Sequence, residues 1–274
     1  MRIIDKYFLG HIVKEEITIK KFMFLLILFI VFILILLVCL RGNEHEGVRY
    51  FVASDGTKGE YLIYPVKHAK GVLVWLHGDG AYEYYHPDSE RYLNGKDGIR
   101  AVAKEKGLTL IVPKAVSKDE KWWTNGKDST AYLSEFIASQ PKHEHLWIGS
   151  FSGGAETTTY WLLSKLPEMN VKSGGAILFG GGGSPKKAGI TSRLEKKKHV
   201  SGTFPLTWIV GEHDHVGGHS KEDPFDALIT SKEGESFYAI QGWDTKRIVV
   251  ENYGHLFVKG EVGQYGRYLR KHIK

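Results

Sequence analysis

Residues 143–155 limit the possible folds more than any other stretch. A mostly apolar strand candidate, 143–148, runs into small residues; Ser152 follows, then Gly153 and Gly154, and a helix-compatible run opens at Ala155. Strand, sharp turn and helix in that order, with a serine at the apex, is the layout of a nucleophile elbow. The turn lifts the serine hydroxyl above the sheet, and it brings strand and helix so close that the positions two before and two after the serine must be small. Around Ser152 these are Ser150 and Gly154; around the rival Ser150 they are Ile148 and Ser152, and isoleucine would clash. Ser152 is therefore the candidate nucleophile, with Ser150 standing where glycine is usual.

The remaining chain continues the alternation that such a turn needs. Residues 48–53 and 60–66 read as a hairpin around Asp55-Gly56. Residues 71–76 and 108–112 are short apolar runs of the kind buried on both faces of a sheet. Residues 145–149, 176–179, 206–210 and 247–251 read as further strands, and 97–106, 128–139, the run after Ser152 to about 166, and 261–272 as helices. Four glycines, 180–183, close the 176–179 strand, and the stretch from there to Thr203 reads as loop. Short buried strands alternating with helices predict an α/β fold with a mostly parallel central sheet covered on both faces.

Phe22 to Leu40 is an unbroken apolar run of nineteen residues. At helical rise that is about 28 Å, the thickness of a bilayer core, so it is expected to be one transmembrane helix. Arg2, Lys6, Lys14, Lys20 and Lys21 precede it, which puts residues 1–21 on the cytoplasmic side and the large domain outside. A cleaved signal peptide is the competing reading, but Leu-Val-Cys-Leu-Arg-Gly has no small-x-small cleavage site. Residues 41–47 then serve as linker and 48–274 as one catalytic domain. Cys39, the only cysteine, lies in the apolar run, so the domain is expected to have no disulfide, no thiolate nucleophile and no cysteine metal site. The net charge of +6 is spread among mixed acids and bases, apart from Lys196-Lys197-Lys198 and a basic end. These lack the interleaved aromatics that stack on bases, so nucleic acid is not the expected partner; anionic headgroups or acidic wall polymers are the sharper alternative to a plain solvated face.

A serine hydroxyl needs a base, an acid to orient the base, and donors for the oxyanion. Each has a candidate just past a strand. The base is His255, after Arg247-Ile-Val-Val-Glu-Asn-Tyr-Gly; the acid is Asp214, after Thr207-Trp-Ile-Val-Gly-Glu-His, with Glu212 and, more weakly, Asp128 as rivals. Asp128 also reads as a helix N-cap. The loop His77-Gly-Asp-Gly80 ends the third strand, and its glycines let amides face a substrate oxygen; the expected oxyanion donors are the N–H groups of Asp79 and Gly153. The Asp79 carboxylate is expected to turn away from the oxyanion, and His77 to be structural. His213, Asp214, His215 and His219 have irregular spacing for a metal, so no metal or cofactor is expected. Tyr82, Tyr84, Tyr85, Trp122 and Trp123, on loops, could line an acyl or aromatic-ring pocket, pack in the core or simply be exposed at the surface.

Together, His77-Gly-Asp-Gly80, Ser150-Phe-Ser-Gly-Gly154, Gly211-Glu-His-Asp214 and Gly254-His255 resemble the signature of the α/β-hydrolase-fold serine esterases, with a looser similarity to the feruloyl-esterase and polyhydroxyalkanoate-depolymerase type. The resemblance covers about residues 60–274. It implies hydrolysis of small or polymer-linked carboxylic esters through an acyl-enzyme. An acyltransferase or a serine peptidase would use the same triad, and a non-catalytic binding protein could use the same scaffold. Oligomeric state is not legible.

Overall fold

The computed structural model describes residues 23, 26–31, 46–216 and 225–274. Contacts divide the chain into two units, residues 1–44 and 45–274. In the first, Met23 and residues 26–31 are helical and exposed. The rest of the expected cytoplasmic segment 1–21, transmembrane helix 22–40 and linker lies outside the described residues, up to residue 45; among the described residues no helix is long and apolar enough to cross a membrane.

The second unit is built on eight strands: β1 (Gly47–Val52), β2 (Lys58–Tyr64), β3 (Gly71–Leu76), β4 (Leu108–Pro113), β5 (His145–Phe151), β6 (Ser173–Phe179), β7 (Leu206–Gly211) and β8 (Thr245–Val250). They form one sheet in the order β1-β2-β4-β3-β5-β6-β7-β8. The β1–β2 and β2–β4 pairs are antiparallel and all others parallel. Five main helices flank it: α1 (Ile99–Glu105), α2 (Gly126–Ala138), α3 (Gly153–Tyr160), α4 (Ala227–Ile240) and α5 (Tyr265–His272).

Side chains alternate across a strand, so a strand covered on both sides is apolar throughout. Along β3, Val72, Val74 and Leu76 join one core layer with Leu133 and Phe136 of α2 and Tyr238 of α4. Leu73 and Trp75 join the other, with Ile99 and Val102 of α1 and Tyr265 and Leu269 of α5. β3, β4 and β7 are buried at every position, whereas β1 and β8, the two edges, are not.

Among the described residues several elements differ from the sequence reading; the stretch read as loop, for one, holds a 3-10 turn, Pro185–Ala188, and a short helix, Lys196–His199. The helix after Ser152 stops at Tyr160, and a short 3-10 turn, Leu162–Lys165, replaces its expected continuation. Thr157, Thr158 and Thr159 all bond back to carbonyls of the preceding turn, a pattern that bends and weakens helices. The last helix starts at Tyr265, because Gly260 at φ 59° turns residues 258–263 into a small antiparallel ribbon. Asn125, not Asp128, holds the N-cap of α2; Asp128 sits in its first turn, where a negative charge still suits the helix dipole. Finally, α4 occupies a stretch with no expected element.

Candidate active site

β5 delivers Ser152 into a tight turn with φ 50° and ψ −120°, a region that costs a non-glycine residue on the order of 1–3 kcal/mol. The crowding that selects small neighbours is visible. A Cβ on Gly154 would lie 2.4 Å from the Leu76 carbonyl oxygen and 2.7 Å from that of His77. Ser150, on the other side, is fully buried and accepts a hydrogen bond from the Thr158 hydroxyl at 3.2 Å. A serine therefore replaces the usual glycine without leaving a buried hydroxyl unpaired.

The loops after β7 and β8 bring the other two residues to this turn. The Ser152 hydroxyl lies 2.8 Å from His255 Nε2, and His255 Nδ1 lies 3.0 and 3.1 Å from the two carboxylate oxygens of Asp214. The carboxylate accepts from Nδ1–H, which leaves Nε2 to accept from the serine. Asp214 is almost completely buried. Glu212, the rival acid, is exposed and accepts from the Asn252 N–H instead. Gly180, at φ 58°, passes so close that a Cβ there would lie 3.1 Å from His255 Nδ1 and 3.2 Å from Asp214 Oδ2. The arrangement can pass a proton from serine to histidine while a buried charge holds the ring.

In the loop after β3, the N–H groups of Gly78 and Gly80 are taken, by Glu83 and by the Glu120 carbonyl. Those of Asp79 and Gly153 have no acceptor among the described residues, as oxyanion donors require. The Asp79 carboxylate does not stand clear of the turn as expected. Its Oδ1 lies against Gly153, 2.2 Å from where a Cβ would be, and Trp123 Nε1–H donates to both oxygens at 3.0 and 3.1 Å. Lys121 Nζ is 3.8 Å away. Burial raises its pKa, and these two partners pull the other way. The carboxylate is thus held beside the elbow by the indole, with the ammonium group near, rather than turned away.

His77 is fully buried: its Nδ1–H donates to the Gly78 carbonyl at 2.6 Å, and Nε2 accepts from the Ala115 N–H at 3.0 Å. Burial pushes it down to about 4, so it is a neutral strut tying the β3 loop to the β4 loop. The five aromatics do not form one pocket. Trp122 is buried against His77, and Tyr84 is buried with its hydroxyl donating to Glu60, whereas Tyr85 and Trp123 are about half exposed. Of the histidine cluster, His219 lies outside the described residues.

Two glutamates escaped the sequence reading. Glu83 is buried and accepts from Trp75 Nε1–H at 3.3 Å and Gly78 N–H at 3.2 Å; burial pushes it up to about 7. Glu156, one helical turn after Ser152, accepts from the N–H groups of Gly182 and Gly183 at 3.0 and 3.2 Å, and burial raises its pKa. Glu83 braces the loop after β3; Glu156 braces the glycine loop that passes Asp214 and His255.

The unit has the α/β-hydrolase fold, and the turns after β5, β7 and β8 bring a serine, an aspartate and a histidine into one hydrogen-bonded series. Solved structures with the same fold include the dienelactone hydrolase from Anabaena variabilis, 15% identical over 83% of this chain and 95% of that one, TM-score 0.53. An esterase from Pyrobaculum calidifontis is 11% identical over 83% and 82%, TM-score 0.56. An esterase of the bacterial hormone-sensitive lipase family is 14% identical over 85% and 86%, TM-score 0.51. No protein-family model and no curated protein matches the chain.

Proposed function

We propose that the chain is a membrane-anchored serine hydrolase that cleaves carboxylic esters through an acyl-enzyme. The observation that carries this reading is the 2.8 Å contact between Ser152 Oγ and His255 Nε2, continued through Nδ1 to the Asp214 carboxylate. Ser152 attacks the ester carbonyl carbon while its proton passes to His255 Nε2. The tetrahedral oxyanion accepts from the N–H groups of Asp79 and Gly153. Collapse expels the alcohol, which takes the proton from His255. Water, deprotonated by the same histidine, then releases the acid and restores Ser152. Asp214 holds the ring and stabilises the imidazolium. The structural neighbours, esterases and a dienelactone hydrolase, support hydrolysis of small esters, and the apolar run 22–40 with its basic flank supports a place at the outer face of a cytoplasmic membrane.

The test is Ser152→Ala. Turnover of a p-nitrophenyl ester should fall by about a thousandfold or more, and labelling by a fluorophosphonate should vanish. A variant that keeps wild-type turnover and labelling sinks the assignment.

A further inference from the structure

A cavity of about 1140 Å³ lies apart from the triad, between the turn Pro185–Ala188, residues 191–197 and the C-terminal half of α4. Neither Ser152, Asp214, His255, Asp79 nor Gly153 lines it. Its wall carries five cationic side chains and two carboxylates. Both carboxylates are already matched: Glu233 pairs with Lys187 at 2.6 Å, and Glu195 with Lys198 at 2.9 Å and Lys197 at 3.7 Å. Lys196 is turned to the Gly202 carbonyl. Lys186 and Arg193 make no direct ion pair among the described residues, although the charge of Arg193 reaches Glu195, and Lys186 Nζ stands 6.0 Å above the Phe237 ring. Beside them the cavity has an apolar side, Phe237 and Ile240, and Ile240 is 86% exposed.

We infer that this cavity is a binding site for an amphiphile with a phosphate-ester head. A guanidinium and an ammonium group that make no direct ion pair, with the hydroxyls of Ser192 and Ser236 on the same wall, offer several donors to the terminal oxygens of one phosphate. A bare ion would fill a small part of a volume suited to a whole organic ligand. It would also leave the exposed Ile240, beside the partly buried Phe237, in water, so the ligand brings a hydrocarbon portion to cover it. The site lies apart from Ser152, Asp214 and His255, and the inference stands whether or not the esterase reading does.

The test is titration calorimetry on the full chain in a neutral maltoside detergent, with hexyl phosphate, which has no carboxylic ester to hydrolyse. Hexyl phosphate should bind saturably, with inorganic phosphate weaker by about tenfold or more. The double variant Lys186→Glu with Arg193→Glu should weaken hexyl phosphate by at least about tenfold while its thermal melt stays that of the wild type. If the double variant melts early, Ile240→Ser serves in its place, and it should weaken hexyl phosphate but not inorganic phosphate. Protein pre-labelled at Ser152 by fluorophosphonate should bind hexyl phosphate as before. The inference is overturned by the absence of saturable binding, by equal affinity for the two phosphates, by a folded variant that binds like the wild type, or by loss of binding after labelling.

Discussion

At Ser152 a left-handed backbone is imposed on a residue with a Cβ. Glycine adopts that backbone freely, alanine does not. Of two variants that lack the hydroxyl, Ser152→Gly should therefore be more stable than Ser152→Ala, by about 1 kcal/mol after allowance for glycine's freer unfolded chain. Urea melts of the pair would measure the difference, and equal midpoints would show that the turn is not strained. Glu83 carries a second prediction. Its pKa rises from 4.5 to about 7 on folding, so between those values the folded state holds a proton that the unfolded state has lost. Its contribution to stability therefore declines as pH rises through that window. Glu83→Gln keeps an acceptor for Trp75 and Gly78 without the charge. Relative to the wild type, the variant should gain stability from pH 5 to pH 8, by on the order of a few kcal/mol; a constant difference across the melts would refute the buried charge. The triad was legible at this scale because each member follows an apolar strand in the order that the fold demands. Glu83 and Glu156 were not, since nothing in their own neighbourhood says that burial awaits them; it comes from Trp75, Gly78 and the glycine loop, distant or unordered until the sheet forms.

Among elements, α4 shows why the sequence reading fell short. Its buried positions are Ala227, Thr230, Ser231, Gly234 and Tyr238. These recur at helical spacing, but all except Tyr238 are small rather than strongly hydrophobic, so a search for an apolar stripe passes over them. The cap was there to be read: Asp226 accepts from the Ile229 N–H. Close approach is what selects the small residues. A Cβ on Gly234 would lie 2.0 Å from the Gly182 carbonyl oxygen. In an isolated helix, Gly→Ala gains about 1 kcal/mol; here the contact is with backbone and cannot yield cheaply. Gly234→Ala should thus destabilise the protein by roughly 1–3 kcal/mol. It should also lower ester turnover, because the displaced loop continues into Gly180 beside His255. A variant with a raised melting temperature and full turnover would mean that α4 does not press on the loop. The central strands β3, β4 and β7, by contrast, were legible within a residue or so, since full burial on two sides writes itself as unbroken apolar runs.

On the scale of the whole molecule, the proposed anchor predicts an outcome in cells. Protease applied to intact, wall-stripped cells should remove the domain and leave an N-terminal stub; protection until the membrane is opened would reverse the topology, and a soluble form beginning near Arg41 would make the segment a signal peptide. The sheet itself makes a separate prediction about time. Ser152 follows β5, which has a neighbour on each side, and Asp214 follows β7, likewise flanked, but His255 follows β8, which pairs only with β7. Edge strands with partly exposed faces exchange their amide hydrogens sooner than central ones. Amides of β8 should exchange well before those of β5, and in rising urea ester turnover should fail before the circular dichroism changes. Coincident transitions would show that β8 opens only with the whole. His255, in the loop after that edge strand, would then act as the fuse of the proposed enzyme: chemistry would stop in a protein that is still folded, and would return without refolding when the rim closes again.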